Sequence, residues 1–165
     1  MMKSVVIRPA EEKDLPVLAD LKATYMRTCY DGYAPSDVLS RITGENYIAE
    51  FTAWLASPDY WIDVLEADGA IESYMVYRLD GEDSGWILEA RTTNPCDAER
   101  HRMLLDRVAG QLREKGCAWM RTWLPRSNYR KRFLYEGYGF RANGERRQDE
   151  RHGHTYEMVQ YRCEL

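Results

Sequence analysis

Residues 128–140 read Asn-Tyr-Arg-Lys-Arg-Phe-Leu-Tyr-Glu-Gly-Tyr-Gly-Phe, and this stretch decides how the rest of the chain is interpreted. Ser127 or Asn128 can cap a helix at its start, and the two glycines near its end can stop that helix after little more than two turns. Asn128 and Tyr135 are seven residues apart. Two helical turns therefore place both side chains on one face.

The remainder of the chain alternates between strand-forming and helix-forming patterns. Strands are predicted at residues 5–7, 61–66, 71–79, 86–93, 117–123, 138–141 and 155–163. Helices are predicted from Asp14, which is expected to cap the first one, in a second helical region made of two pieces at residues 38–42 and 46–56, and at residues 98–115 and 128–136. A polar arm, residues 142–153, is expected to join the last two strands.

The order of these elements decides the fold class. Asp68-Gly69 and Asp80-Gly81 are turn signals, so the three middle strands are expected to form an antiparallel meander. The strand, helix and strand between residues 86 and 123 instead predict a parallel pair. The sequence therefore predicts an α/β (α+β) fold in the order β-α-α-β-β-β-α-β-α-β-β, with a mixed central sheet of six to seven strands and about four helices.

One predicted helix, residues 46–56, carries an aromatic stripe. Its apolar face consists of Tyr47, Ile48, Phe51, Trp54 and Leu55. A stripe with this spacing is more often core packing than a ligand site.

The composition is that of one globular domain, residues 1–165, with 44% apolar and 30% charged residues. No apolar run approaches the roughly 20 residues of a membrane helix, and the first residues lack a signal-peptide core, so a cytoplasmic protein without a membrane partner is expected. The four cysteines form no C-x-x-C pair, and the histidines lack a metal-ligand arrangement. We therefore expect no metal.

Charge is divided unevenly along the chain. Residues 1–90 hold 7 Lys/Arg and 17 Asp/Glu, whereas residues 91–165 hold 16 Lys/Arg and 10 Asp/Glu. The net charge of the whole chain is −4. This division suits a protein that binds a cationic partner at one end and an anionic partner at the other, although two solvated faces would look the same.

The spacing Asn-x6-Tyr-x3-Gly-Phe resembles the last motif of the GNAT superfamily of N-acyltransferases, with matches at Asn128, Leu134, Tyr135, Gly139 and Phe140. The element order over residues 4–163 resembles the complete GNAT fold. The resemblance implies acetyl-CoA as acyl donor, with Asn128 contacting its pantetheine arm and Tyr135 protonating the departing thiolate. Dimer formation is common in the family, so a homodimer is compatible with the resemblance.

The cofactor loop departs from the family pattern. GNAT proteins open their central helix with Arg/Gln-x-x-Gly-x-Gly/Ala, whose backbone amides bind the pyrophosphate. Residues 95–105 here read Pro-Cys-Asp-Ala-Glu-Arg-His-Arg-Met-Leu-Leu, without a glycine and about two residues short. Asp97 and Glu99 place negative charge at this point, and Arg100 and Arg102 could compensate. The alternative is that Asp97 only caps the helix and the arginines are solvated.

The resemblance nevertheless assigns a set of cofactor-binding candidates. They are Thr92, Thr93, Ala98, Arg100, His101, Arg102, Met103, Asn128, Arg130 and Lys131. The basic cluster formed by Arg126, Arg130, Lys131 and Arg132 borders the adenosine 3′-phosphate in the family. A nucleic-acid patch is the competing interpretation, and the net charge of −4 argues against it.

Other roles follow from the same resemblance. Glu89 is the expected general base, with water, Glu66 or Glu72 as alternatives. A main-chain N–H near Thr92 or Thr93 is expected to polarise the thioester carbonyl. The acceptor wall is expected at Tyr30, Asp31 and Tyr33, with Asp37 as a further candidate.

The sequence thus predicts an N-acetyltransferase that acts on a primary amine of a cationic small molecule or peptide, without nucleic acid. The alternative is a catalytically silent GNAT-fold module that has lost CoA binding and binds small molecules or proteins. A third possibility is an enzyme that uses a different acyl donor.

Overall fold

The computed structural model describes residues 4–30, 35–94, 97–151 and 153–165; side chains 29 and 30 are not described. The strands are β1 (Val5–Pro9), β2 (Tyr60–Ala67), β3 (Ala70–Leu79), β4 (Ser84–Thr92), β5 (Trp119–Pro125), β6 (Arg141–Arg151) and β7 (His154–Glu164). The helices are α1 (Leu15–Tyr30), α2 (Ser36–Ser40), α3 (Glu45–Ala56), α4 (Ala98–Glu114) and α5 (Tyr129–Tyr138), and a 3-10 turn (Glu12–Asp14) precedes α1.

The seven strands form one mixed sheet in the order β1-β2-β3-β4-β5-β7-β6. β4 and β5 are parallel, with Ile87 opposite Thr122, whereas β1 pairs with β2, and β7 with both β5 and β6, in antiparallel fashion. This sheet confirms the predicted fold class. The described residues form five α-helices rather than about four, because the second helical region divides into α2 and α3.

The chain groups into two compact units. The first consists of Met1–Val76 and Glu89–Leu104, and the second of Tyr77–Leu88 and Leu105–Leu165. In the first unit, alternate residues of β2 and β3 share one face of the sheet and pack against α1 and α3, and the middles of both strands are buried on their other face as well. The principal members of this core are Leu18, Ala19, Phe51, Ile62, Val64, Tyr74 and Val76.

The second unit is built around the apolar faces of α4 and β5. Its buried side chains include Val108, Leu112, Met120, Leu124, Tyr135, Phe140 and Tyr161. Gly139 ends α5 with a φ of 128°, a backbone conformation that a residue with a Cβ rarely adopts. The stop signal predicted from the sequence is thus the second of the two glycines, since Gly137 lies inside the helix.

Two local expectations were wrong. Residues 142–153, expected as a polar arm, mostly belong to β6, while residues 138–140 precede this strand instead of starting it. β6 lies at the edge of the sheet and is exposed or half-buried throughout, so charged side chains are tolerated there and pairing with β7 defines the strand. Asp14 does not cap α1; it ends the 3-10 turn, and its Oδ2 accepts from the backbone N–H of Glu11 at 2.8 Å.

Candidate active site

Helix α5 carries the motif pair in the second unit. Asn128 is its N-cap, and its Oδ1 accepts a hydrogen bond from the backbone N–H of Lys131 at 3.1 Å. Tyr135 lies two turns later, is fully buried and makes an edge contact with the Phe140 ring at a centroid distance of 5.0 Å. The predicted cap is confirmed, and the two motif side chains belong to one short helix.

Helix α4 begins with a carboxylate bound to its own backbone. Oδ1 of Asp97 accepts from the backbone N–H of Arg100 at 3.1 Å, so Asp97 caps the helix as predicted. Its other oxygen lies 3.1 Å from Nε of Arg100, and the guanidinium of Arg100 also pairs with Glu72. Of the two arginines proposed to compensate for the missing glycines, Arg100 is therefore held by two carboxylates.

The end of β4 meets this same corner of the first unit. The backbone N–H of Thr93 donates to the carbonyl of Glu72 at 2.8 Å, and the Ser73 hydroxyl donates to Oγ1 of Thr92 at 2.9 Å. Three predicted cofactor residues, Thr92, Thr93 and Arg100, are thus brought together. Because the N–H of Thr93 donates to Glu72, Thr93 is the weaker of the two candidates for polarising a carbonyl.

The other predicted cofactor residues lie on the two helices with different exposure. On α4, Ala98 and Arg102 are exposed, and His101 and Met103 are half-buried. On α5, Arg130 is exposed and Lys131 is half-buried. The neighbouring Arg132 donates to the Tyr161 hydroxyl at 2.9 Å and to the carbonyl of Arg126 at 2.7 Å, so part of this basic cluster fastens α5 to β7.

Glu89, the expected base, is held in the first unit by hydrogen bonds to both carboxylate oxygens. Oε1 accepts from Nζ of Lys22, and Oε2 accepts from the Tyr74 hydroxyl at 3.0 Å. Burial raises the pKa of Glu89, but the positive charges of Arg91 and Lys22 and these hydrogen bonds outweigh it, so its pKa lies below the usual value. Glu89 is therefore ionised at neutral pH.

Lys22, which the sequence did not single out, completes this cluster. It lies on α1, is only 5% exposed, and its ammonium pairs with Glu50 and Glu89. The same nitrogen lies 4.6 Å from the ring centroid of Tyr47, 5.3 Å from that of Trp54 and 5.8 Å from that of Phe51. We call Tyr47, Glu50, Phe51, Trp54 and Glu89 the ammonium cage.

The cage follows from simple helical spacing. Its four α3 members stand at positions i, i+3, i+4 and i+7, which face one way on a helix. The aromatic stripe predicted as core does pack against the core, and it also encloses a charge. Lys22 stands seven residues after Leu15 and four after Leu18, so the apolar face of α1 directs it inward.

The alternative bases are ion-paired as well. Oε1 of Glu66 lies 2.6 Å from Nη2 of Arg8, and the carboxylate of Glu72 pairs with the guanidinium of Arg100. Asp37, the further acceptor candidate, is exposed on α2 and lies 3.7 Å from Arg41. Asp31, Tyr33 and the side chain of Tyr30 lie outside the described residues, so the predicted acceptor wall stays a prediction.

One carboxylate cluster in the described part of the chain has a spacing that could hold a metal ion. It comprises Asp80, Glu82 and Asp83 in the turn between β3 and β4. Oδ1 of Asp80 accepts from the backbone N–H groups of Glu82 and Ser84 at 2.9 and 3.2 Å, and Oδ2 accepts from the Trp86 indole at 3.3 Å. These bonds close the turn, which accounts for Asp80 without an ion.

Comparison with known proteins shows which solved structures share this fold. No model of a known protein family matches the chain, and no curated protein matches its sequence. Among solved structures, the PaiA N-acetyltransferase of Thermoplasma acidophilum in complex with coenzyme A is 15% identical, with a TM-score of 0.73 over 98% of this chain and 99% of that one. The chain therefore has the fold of the GNAT acetyltransferases.

Two further structures share the GNAT fold. A ribosomal-protein-alanine N-acetyltransferase from Brucella melitensis is 17% identical over 97% of this chain and 99% of that chain, with a TM-score of 0.73. An acetyltransferase of the GNAT family from Streptococcus pneumoniae is 15% identical over 98% and 100%, with a TM-score of 0.69. The fold that the sequence predicted is confirmed.

Among the described residues, no helix is both long and apolar enough to cross a membrane. The cytoplasmic location expected from the sequence stays a prediction.

Proposed function

We propose that the protein is an N-acetyltransferase that transfers the acetyl group of acetyl-CoA to a primary amine. The observation that carries the proposal is the match of the GNAT fold over 98% of the chain to an N-acetyltransferase solved with coenzyme A. Fold alone does not determine activity. The Asn128–Tyr135 motif on α5 adds support from the site itself.

The proposed reaction is direct attack on the thioester. The amine nitrogen bonds to the carbonyl carbon, the carbon–sulfur bond breaks, and the products are an acetamide and CoA thiol. Glu89, or water, takes the proton that the ammonium loses. Tyr135 gives its proton to the thiolate, which is reasonable because a phenol, with an ordinary pKa near 10, and a thiol are comparably acidic. As the tetrahedral intermediate collapses, the nitrogen loses its second proton to solvent. The phenol recovers its proton from solvent, and Glu89 releases to solvent the proton that it took.

The proposed acceptor is a cation. Residues 1–90 carry 17 acidic and 7 basic side chains, so the first part of the chain attracts positive charge before any contact forms. A polyamine, an amino sugar or a protein amine would each satisfy this requirement. The Brucella melitensis structure is named for a ribosomal-protein alanine, which is one example of a protein amine.

The silent module stays a second candidate because of the start of α4. Asp97 caps the helix, and Arg100 pairs with Asp97 and Glu72. Both features oppose a pyrophosphate, since the first adds negative charge and the second engages the nearest cation. On this account the fold is kept while CoA binding is lost.

Calorimetric titration with acetyl-CoA separates the two candidates. The enzyme reading predicts saturable binding that Arg102→Glu weakens at least tenfold, because Arg102 is exposed on the first turns of α4. Arg113→Glu is the matched control, since it reverses an exposed arginine in the last turn of the same helix. Lack of heat at millimolar acetyl-CoA would support the module instead, and a panel of other acyl-CoA thioesters would reveal an enzyme that uses a different acyl donor. Release of free thiol in the presence of amines then tests for turnover.

A further inference from the structure

We infer that the ammonium cage is a binding site for a primary alkylammonium, that Lys22 is its built-in occupant, and that an acceptor ammonium binds by displacing Lys22. The inference rests on the proposed function and extends it, because it names the chemical group that the acceptor presents. All of its members belong to the first unit.

The cage has the chemistry of a receptor for ammonium. An ammonium group has three N–H donors and no acceptor, and two of its donors are met here by the carboxylates of Glu50 and Glu89. Three aromatic rings stand within 6 Å of the nitrogen, a distance at which the negative ring faces attract a cation. Rings without carboxylates would suit a quaternary ammonium, whereas this combination suits a primary one.

The electrostatics favour exchange over simple departure of Lys22. Glu89 is 11% exposed at its side chain, so loss of the lysine without replacement would leave a buried carboxylate without its ammonium partner. An incoming ammonium restores both ion pairs and the ring contacts, whereas its own desolvation and ordering and the competition from the tethered Lys22 oppose binding. The Tyr74 hydroxyl keeps the second oxygen of Glu89 in place throughout.

Access to the cage is on the side of Glu50. The Glu50 side chain is 42% exposed, compared with 6% for that of Lys22. A cation from solvent therefore meets Glu50 first and reaches Glu89 only when the Lys22 ammonium withdraws. Glu89 is the proposed base, so displacement places the acceptor nitrogen against the group that is to deprotonate it.

The test uses n-propylammonium, which replaces the three carbons and the nitrogen that Lys22→Ala removes. We expect Lys22→Ala to lower the midpoint of thermal unfolding and n-propylammonium to raise it again with a dissociation constant in the millimolar range. n-Propanol and sodium chloride at equal concentrations should not raise the midpoint of Lys22→Ala. In the unmodified protein we expect the same ammonium-specific response at least tenfold weaker, because the tethered Lys22 competes at a high effective concentration.

Matched variants assign the response to the cage. Lys22→Met fills the cage with an uncharged chain and should abolish the n-propylammonium response. Lys22→Ala/Glu50→Gln should weaken binding several-fold, whereas Lys22→Ala/Glu45→Gln, which changes an exposed carboxylate in the first turn of the same helix, should not.

Each outcome decides the inference. A Lys22→Ala protein that folds but gives no ammonium-specific response would show that the cage is no receptor. A response in Lys22→Ala together with none in the unmodified protein at 100-fold higher concentration would show that Lys22 is a permanent structural partner, and exchange would be rejected. If Lys22→Ala does not fold, the titration of the unmodified protein decides alone. None of these measurements uses acetyl-CoA, so failure of the proposed function is seen separately.

Discussion

Oδ1 of Asp97 accepts a hydrogen bond of 3.1 Å from the backbone N–H of Arg100, and this bond occupies part of the helix end that a pyrophosphate would need. The N-terminus of a helix attracts anions through its unpaired N–H groups and its dipole. Here the first anion to bind is the protein's own side chain. The effect of Asp97 on CoA binding can be measured, because different substitutions remove its negative charge with or without its capping hydrogen bond.

Asp97→Asn keeps a capping oxygen and removes the negative charge. We expect stability to change little and acetyl-CoA to bind about two- to fivefold more tightly, the effect of one unfavourable charge of roughly 0.3–1 kcal/mol at a helix N-terminus. Asp97→Ala removes both and should lower the free energy of unfolding by about 1 kcal/mol. Calorimetry and chemical denaturation measure the two quantities. If Asp97→Asn binds no better, the carboxylate does not compete with the phosphates.

The Arg8–Asp14 pair makes stability depend on pH. Two hydrogen bonds of 2.7 and 3.0 Å from Arg8 to a buried carboxylate lower the pKa of Asp14, and burial offsets this only in part. A carboxyl group whose pKa is lower in the folded state stabilises above its unfolded pKa, near 3.9, and loses that contribution as the pH falls through the folded value. Asp14→Asn should therefore destabilise by about 1–3 kcal/mol at pH 7, and the difference should shrink below pH 4.

The measurement is urea denaturation of both proteins between pH 7 and pH 2.5. Asp37→Asn is the control, because Asp37 and Arg41 form a mostly exposed pair at 3.7 Å and such pairs add little. A stability difference for Asp14→Asn that stays constant with pH would mean that the carboxylate acts through packing and not through its charge.

Two glycines of the second unit should respond in opposite directions to the same substitution. A Cβ on Gly85 would lie 2.9 Å from Cγ of Leu112 and closer still to both of its Cδ atoms, and Leu112 is fully buried. Gly85→Ala should therefore cost about 1–3 kcal/mol through overpacking between β4 and α4. Gly110 lies in α4 with nothing within 4 Å of such a Cβ, so Gly110→Ala should stabilise by about 0.5–1 kcal/mol.

Thermal unfolding of these two variants reads out both effects, and a change of 1 kcal/mol corresponds to about 2–4 °C for a chain of this size. Equal shifts in the same direction would contradict the close approach of α4 to Gly85.

The parts of the fold that the sequence predicts correctly depend on local signals. Asn128 caps α5 and Gly139 ends it because capping and positive φ are properties of a few neighbouring residues. β6 was missed because its residues, Arg-Ala-Asn-Gly-Glu-Arg-Arg-Gln-Asp-Glu-Arg, have little preference for strands. β6 is a strand because it pairs with β7, and such pairing cannot be predicted from the residues of β6 alone.

The site divides in the same way. Asp97 as a cap follows from its position before a periodic apolar run, whereas the pairing of Arg100 with Glu72 joins segments nearly thirty residues apart. The signal for Lys22 was present, since a lysine on the leucine face of α1 must be buried, and a buried ammonium requires carboxylates. The identity of those carboxylates, Glu50 and Glu89, required the tertiary fold.

Tyr135→Phe tests the proposed general acid with little disturbance of the fold. The ring of Tyr135 is fully buried and keeps its edge contact with Phe140 when only the hydroxyl is removed, so the unfolding midpoint should shift by no more than a few degrees. Acetyl-CoA should bind as before, because the hydroxyl acts on the thiolate that forms during the reaction. With an amine that supports turnover, kcat should fall by about 10²–10⁴, the usual contribution of a positioned acid.

The matched control on α5 is Tyr138→Phe. The Tyr138 hydroxyl donates to Asp106 at 2.7 Å, and its removal should leave turnover unchanged. Equal turnover in Tyr135→Phe and the unmodified protein would remove Tyr135 from the mechanism and leave protonation of the thiolate to solvent.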